Sequence, residues 1–195
     1  VTDTGYVRVF DATKLESGKY VIVANNGTDA LAMGTTLTSG KLDGTAVTVN
    51  GTLITGSGLP VWTLEVVDGG VTISIDGQYL AYNSSTNFKL SADPYVWTAE
   101  NGDTGIILHS SVTTRGIYLQ ISSSKFGAYA TSNVGSASYV SNLQLYKYQV
   151  GSQGCSHSYT SKVTTAATCT AAGVKTFTCS LCGHSYTEAI AATGH

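Results

Sequence analysis

Tyr79-Leu80-Ala81-Tyr82-Asn83-Ser84-Ser85-Thr86-Asn87-Phe88-Lys89-Leu90 matches, after one gap, Tyr118-Leu119-Gln120-Ile121-Ser122-Ser123-Ser124-Lys125-Phe126-Gly127-Ala128. A weaker third copy is Ala30-Leu31-Ala32-Met33, preceded by the run Gly18-Lys19-Tyr20-Val21-Ile22-Val23. Each copy then reaches a run of related spelling: Pro60-Val61-Trp62-Thr63-Leu64, Tyr95-Val96-Trp97-Thr98-Ala99 and Tyr139-Val140-Ser141-Asn142-Leu143. Internal self-similarity of this kind decides a fold before any local reading does. Three copies of about four strands each is the arithmetic of a β-trefoil. A two-sheet sandwich is the alternative, since short strands with a turn every 8 to 12 residues also suit it.

The apolar residues around these copies alternate with period two, as in Val71-Thr72-Ile73-Ser74-Ile75 and Leu143-Gln144-Leu145-Tyr146, and no helical stripe is sustained. The chain is therefore expected to be all-β, with Asp68-Gly69-Gly70 and Asp76-Gly77 as hairpin turns. Tyr6-Val7-Arg8-Val9-Phe10 and the run from Leu143 to Tyr148 are expected to pair and close the barrel, removing an open sheet edge.

Of 195 residues, 42% are hydrophobic and only 11% charged, with a net charge of -2. This argues against a disordered tail, and a weakly acidic chain has no electrostatic hold on nucleic acid. No apolar run reaches the roughly 20 residues of a membrane helix, and Val1 opens no signal peptide, so a soluble segment excised from a longer chain is expected. All four cysteines and three of the four histidines follow residue 150. Gly151-Ser152-Gln153-Gly154 has the composition of a short linker. Two domains are therefore expected, 1–150 and 151–195.

Aligning the copies sorts core from surface. Leu31, Leu80 and Leu119 share one register, with Met33, Tyr82 and Ile121 two residues on, so Tyr82 is assigned to the core. Trp62 and Trp97 are read as core aromatics. Tyr79, Tyr95, Tyr118, Tyr129 and Tyr139 are left pointing outward, and Tyr129 is the sharpest candidate for a sugar-stacking ring, because Phe126 and Ala128 turn inward around it. Arg115, His109, Tyr118 and Asn133 lie in the same third copy as candidate hydroxyl partners. An enzyme is not expected: His109 beside Ser110 and Ser111 is no nucleophile and base without an orienting carboxylate, Asp93 and Glu100 form no acid and base pair, and the standard catalytic motifs are missing.

Leu15-Glu16-Ser17-Gly18-Lys19-Tyr20-Val21-Ile22, Gly77-Gln78-Tyr79-Leu80-Ala81-Tyr82, Thr114-Arg115-Gly116-Ile117 and Lys125-Phe126-Gly127-Ala128-Tyr129 together resemble an accessory module of large secreted proteins of gut bacteria, glycan-degrading enzymes among them. The resemblance covers roughly residues 5–149. It implies a non-catalytic carbohydrate-binding role on a secreted or cell-surface protein, towards starch-like or host glycans, with polysaccharide or oligosaccharide as partner. It assigns no binding residue. The competing class is a structural or adhesion spacer that recognises protein or nothing.

The tail spells Cys155-x-His157, then Cys169, then Cys179-x-x-Cys182 and Gly183, and ends in His195. Cys-x-x-Cys turned by a glycine aims two thiolates at one metal, and a third Cys with a His completes a tetrahedron. The expected zinc ligands are His157, Cys169, Cys179 and Cys182, with Cys155 and His195 as possible replacements and His184 as a turn residue. The segment resembles short tandem repeats of such surface proteins that carry Ala-Thr-Cys-Thr and Cys-x-x-Cys-Gly. Disulfides remain the alternative, since four cysteines are even in number, but they leave the histidines unexplained. About forty residues bury little core, so a crosslink of either kind is expected to fold this small β-rich unit.

Overall fold

The computed structural model describes residues 5–149, 159–179 and 185–194. The chain divides into two compact units, the larger ending at Gln149. The larger unit runs β1 (Gly5–Val9), β2 (Gly18–Asn25), β3 (Ala30–Thr38), β4 (Lys41–Ala46), β5 (Leu53–Ile54), β6 (Trp62–Val67), β7 (Gly70–Ile75) and β8 (Gln78–Ser84). It continues through β9 (Asn87–Ser91), β10 (Val96–Asn101), β11 (Ile106–Ser110), β12 (Arg115–Gln120), β13 (Lys125–Ala130), β14 (Tyr139–Val140) and β15 (Leu143–Gln149). Ala12–Lys14 and Thr131–Asn133 form single 3-10 turns, and no described helix is long and apolar enough to cross a membrane. The fold is all-β and antiparallel, as the period-two alternation predicts.

Six strands form a closed ring. β2 pairs with β6, β6 with β7, β7 with β10, β10 with β11, β11 with β15, and β15 returns to β2 through Leu145↔Ile22 and Leu143↔Ala24. The inward positions of this ring, among them Tyr20, Ile22, Leu64, Ile73, Leu108 and Leu145, are fully buried and make one apolar cluster. The first run does pair with the last, β1 with β15 from Gly5↔Gln149 to Val9↔Leu145, but this ladder does not close the barrel. Leu145 faces Val9 on one edge and Ile22 on the other, so β2 makes the closure and β1 is an added strand.

Three hairpins, β3–β4, β8–β9 and β12–β13, supply the remaining core. Their turns carry Ser39, Ser85 and Ser124 at φ of 51°, 54° and 53°. The left-handed region is uncommon for a serine, and its recurrence marks the copies at backbone level. The turns are also bonded to one another in a cycle: Phe88 N–H donates to Gly40 O (2.8 Å), Ala128 N–H to Thr86 O (3.0 Å) and Gly44 N–H to Ser124 O (2.8 Å). All three approaches need glycine: a Cβ on Gly44 or Gly127 would stand 2.8 Å or 2.9 Å from the carbonyl oxygen it meets, and one on Gly40, at φ of 75°, would stand 2.6 Å from Asn87 Cβ.

Leu31, Leu80 and Leu119 are buried as their shared register requires. Met33 is buried too, whereas Tyr82 is half-buried at the cluster's margin, less interior than its alignment with Met33 implies. Trp62 and Trp97 are fully buried, and each ties its hairpin to the ring: Trp62 Nε1–H donates to Met33 O (3.0 Å) and Trp97 Nε1–H to Leu80 O (2.9 Å). In the third copy Ser141 takes this position, also buried.

The smaller unit contains an antiparallel sheet of β16 (Tyr159–Thr165), β17 (Gly173–Cys179) and β18 (Ser185–Ile190). Phe177 and Tyr186 stack across it at 4.8 Å, and Tyr159 meets Tyr186 edge-on at 5.0 Å. Gly173 is the single residue of this unit that is buried among those described.

Replacing either Trp62 or Trp97 by Phe keeps most of the apolar volume but strands a buried carbonyl. Each substitution is expected to lower unfolding stability by about 1–3 kcal/mol, read from the midpoint of urea unfolding at unchanged m-value. An unchanged midpoint for both would mean that the indole bonds do not hold the hairpins.

Candidate functional site

β10 to β13 turn one face to the core and the other outward. The register His109↔Gly116↔Tyr129 sets three positions in a row on the outward face, and Tyr118 opposes Gly127 beside them. Tyr118 and Tyr129 therefore point away from the ring, as the alternation predicts. Neither is exposed: Tyr118 is 0% and Tyr129 4% accessible, which corrects the expectation of an open tyrosine platform.

The reason is a pair of glycines. A Cβ on Gly116 would lie 2.6 Å from Tyr118 Cε1 and 2.7 Å from His109 Cδ2, and one on Gly127 would lie 2.9 Å from Tyr129 Cε2. The rings occupy the space that those missing side chains leave, lying along the sheet instead of standing off it. Tyr139, from β14, then covers Tyr129 at 4.7 Å between ring centres. Lys41 Nζ stands 5.4 Å from the centre of the Tyr129 ring, where it donates to Thr86 Oγ1 (2.6 Å) and Asn87 Oδ1 (2.8 Å). Ile107 completes this satellite cluster.

At the cluster's edge runs a polar chain. His109 Nε2 is 2.6 Å from Tyr118 Oη, and His109 Nδ1 is 3.3 Å from Glu100 Oε1. Burial, with Glu100 adding to it, pushes the Tyr118 phenol up to about 12, so Tyr118 keeps its proton; the Glu100 carboxylate can only accept, so a neutral imidazole that bonds it through Nδ1–H leaves Nε2 to accept from Tyr118. Neutral His109 then carries its own proton on Nδ1, facing Glu100. Burial lowers the imidazole pKa and Glu100 works against that shift. The Tyr129 phenol is likewise pushed up to about 12, by burial and then by Tyr139. Glu100 is the open end of this chain, with 59% of its side chain accessible against 20% for His109.

The structure thus brings together His109, Tyr118 and Tyr129. It does not bring Arg115 with them. Arg115 precedes Gly116 in β12 and so belongs to the opposite parity, where its guanidinium lies 5.9 Å from the Tyr82 ring centre. Asn133 closes the second 3-10 turn, half-buried, and its carbonyl accepts from Ser136 N–H. Among the described residues no hydrogen bond joins Arg115 or Asn133 to the His109 chain. Glu100 was not read as part of the site. The hairpin register, with Thr98 opposite His109 and Glu100 two residues on, is the signal that places it.

Of the expected metal ligands, His157 and Cys182 lie outside the described residues, as do Cys155, His184 and His195. Cys169 is exposed, with a free thiol. Cys179 pairs with Tyr159 at one end of the small sheet, whereas Cys169 sits in the connection at the other end, where its carbonyl accepts from Gly194 N–H. Six strand steps separate those ends, about 20 Å. The backbone therefore does not bring Cys169 and Cys179 together at one point. No group of three or more His, Cys, Asp or Glu suited to a metal occurs among the described residues.

Compared with models of protein families, with curated proteins and with solved structures, the chain matches none.

His109 is the single histidine of the larger unit, so its titration is readable by NMR. Its folded pKa lies below the unfolded value near 6.5, so the unfolded chain binds the extra proton first and stability falls as pH drops through that window. The expected midpoint is below 6.5, and Glu100→Gln should lower it further. A midpoint above 6.5, or a rise in Glu100→Gln, would refute the buried neutral imidazole.

Proposed function

We propose that the larger unit is a β-trefoil acting as a non-catalytic carbohydrate-binding module of a secreted or cell-surface bacterial protein, with starch-like or host glycans as its ligands. The trefoil reading is supported by the closed six-strand ring, the three hairpins and the cyclic bonds between their turns; a sandwich would leave the β15 and β2 edges apart. The binding reading is carried by one observation. An aromatic cluster carries an accessible carboxylate, Glu100, joined to its Tyr118 through His109, and a partly exposed ring, Tyr139, packed on its Tyr129. Sugars combine hydroxyls that favour charged acceptors with C–H faces that favour aromatic rings, and this cluster offers both.

The roles of the residues change accordingly. Tyr118 and Tyr129 hold the cluster in place, while Tyr139, Glu100 and His109 touch the sugar. Tyr118 is unsuited to catalysis, because a fully buried phenol at about 12 cannot meet a substrate. Affinity electrophoresis of the full chain against starch, mucin and plant polysaccharides tests the proposal. Binding to at least one is expected, with Tyr139→Ala and Glu100→Gln each weakening it about tenfold, the equivalent of about 1.4 kcal/mol. Tyr129→Ala, by contrast, is expected to destabilise the fold. Retention by none of the polymers would favour the spacer function.

For the tail, the proposed zinc ligand set is Cys155, His157, Cys179 and Cys182, with Cys155 in place of Cys169. His157 lies two residues before Tyr159, within about 7 Å of chain reach, and Tyr159 is the partner of Cys179. Such a metal would crosslink the sheet end and supply the folding energy that so exposed a unit lacks. Elemental analysis should find one zinc per chain, kept in Cys169→Ser and lost in Cys179→Ser. A mass lower by two hydrogens per cysteine pair, without metal, would show disulfides instead.

A further inference from the structure

At the end of the ring where β15 carries Lys147, β1 and the first 3-10 turn bond to the end of β10 and the connection after it, through Arg8 to Thr104 O and Asn101 to Asp11. A depression of about 360 Å³ opens there, with Arg8, Phe10, Lys14, Glu16, Lys147 and Gln149 along it. Phe10 is the most exposed aromatic ring described, at 59%. One of its faces is taken by the Arg8 guanidinium, 4.5 Å from the ring centre, and the other is free for a ligand.

The charges of this depression are unevenly spent. Glu16 is ion-paired with Lys147, and this holds its carboxyl below the usual range. Asp11, also on the lining, accepts from Asn101 Nδ2 (3.0 Å) and from the Thr13 N–H and hydroxyl (2.9 Å each), which hold its carboxyl below the usual range as an anion in the field of Lys14. Arg8 Nη2 donates to the Thr104 carbonyl (2.7 Å), its Nε–H is buried without an acceptor, and no carboxylate pairs with it among the described residues. The Lys14 side chain is exposed at the end of the first 3-10 turn, with the Asp11 carboxylate as counter-charge but no ion-pair contact among the described residues. Three cations, Arg8, Lys14 and Lys147, stand against two carboxylates, Asp11 and Glu16, so one positive charge is left over beside an exposed aromatic ring, which defines a ligand with one apolar face and one anionic group.

We infer that this depression binds an acidic sugar residue, the ring packed on Phe10 and the carboxylate drawn to Lys14 and Arg8. The Gln149 amide is placed to meet a hydroxyl. The site shares no lining residue with the Glu100 and Tyr139 pair and does not depend on glycan binding there.

The test uses a matched pair, methyl β-glucuronide and methyl β-glucoside, which share a ring and differ in the carboxylate, with acetate as the carboxylate alone. In the full chain, glucuronide should shift the amide resonances of Phe10, Lys14 and Gln149 and bind about tenfold more tightly than glucoside or acetate, the effect of one charge-assisted hydrogen bond. Lys14→Gln should bring glucuronide down to the glucoside level, and Phe10→Ala should weaken both sugars. Both side chains are exposed, so both variants should keep the wild-type urea midpoint. Tyr139→Ala should leave glucuronide binding unchanged, which separates failure here from failure of the third-copy site. Equal saturation by glucuronide and glucoside, equal saturation by acetate, or no shift at these residues would each overturn the inference.

Discussion

Three backbone hydrogen bonds between hairpin turns hold the larger unit in its threefold arrangement. A hairpin alone is marginal in water. Here each turn carbonyl accepts an amide from the next hairpin, and the third returns to the first through Gly44 N–H and Ser124 O. Each link thus ties one hairpin to the next, and the amides of Phe88 and Ala128 are donated from buried residues. The ring of six strands obeys the same logic, because the β15–β2 ladder leaves its central strands no free edge. The two indole bonds, from Trp62 and Trp97, couple one closed system to the other.

Closure decides what each side chain can do. Along a ring strand one parity fills the core, and the other is free to face solvent or another layer. Over β2 and β15 that outer parity meets a second apolar cluster, in which Val21, Val23, Ala32, Ile54 and Tyr146 are buried beneath β1, β5 and the connection that carries Val47, Leu59 and Val61. Over β11 to β13 no such layer is built. The aromatic rings of that face cover themselves, using the space above Gly116 and Gly127, and leave Glu100 and Tyr139 at the margin.

Most of the fold was legible because it follows from alternation and repetition, both of which are properties of residue order. Leu31, Leu80, Leu119, Trp62 and Trp97 could be placed inside from spelling alone. The serines at positive φ could not, since Ser39, Ser85 and Ser124 adopt that conformation through contacts between turns that are distant in sequence. The strand that closes the ring was misassigned for a related reason. Pairing tells which residues meet across one edge of β15, and closure depends on the other edge.

The candidate site shows where parity stops being informative. Alternation correctly turned Tyr118 and Tyr129 away from the core, and exposure was then inferred from direction. Direction fixes a face, whereas burial depends on what lies over that face. Arg115 failed differently, since being one residue from Gly116 puts it across the sheet from its sequence neighbours.

The third copy is also the one that lacks the indole tie, with Ser141 where the others have tryptophan. Inward positions must satisfy packing in all three copies, and outward positions answer only to their local layer. A repeat fold can therefore vary the outer face of one copy at little cost to the common core. In this chain the histidine of the larger unit and its longest outward aromatic cluster fall on that copy. The depression beside Phe10 is set by β1, β15 and the first 3-10 turn, outside the repeated hairpins, and is tied to β10 and the connection after it through Asn101 and Thr104.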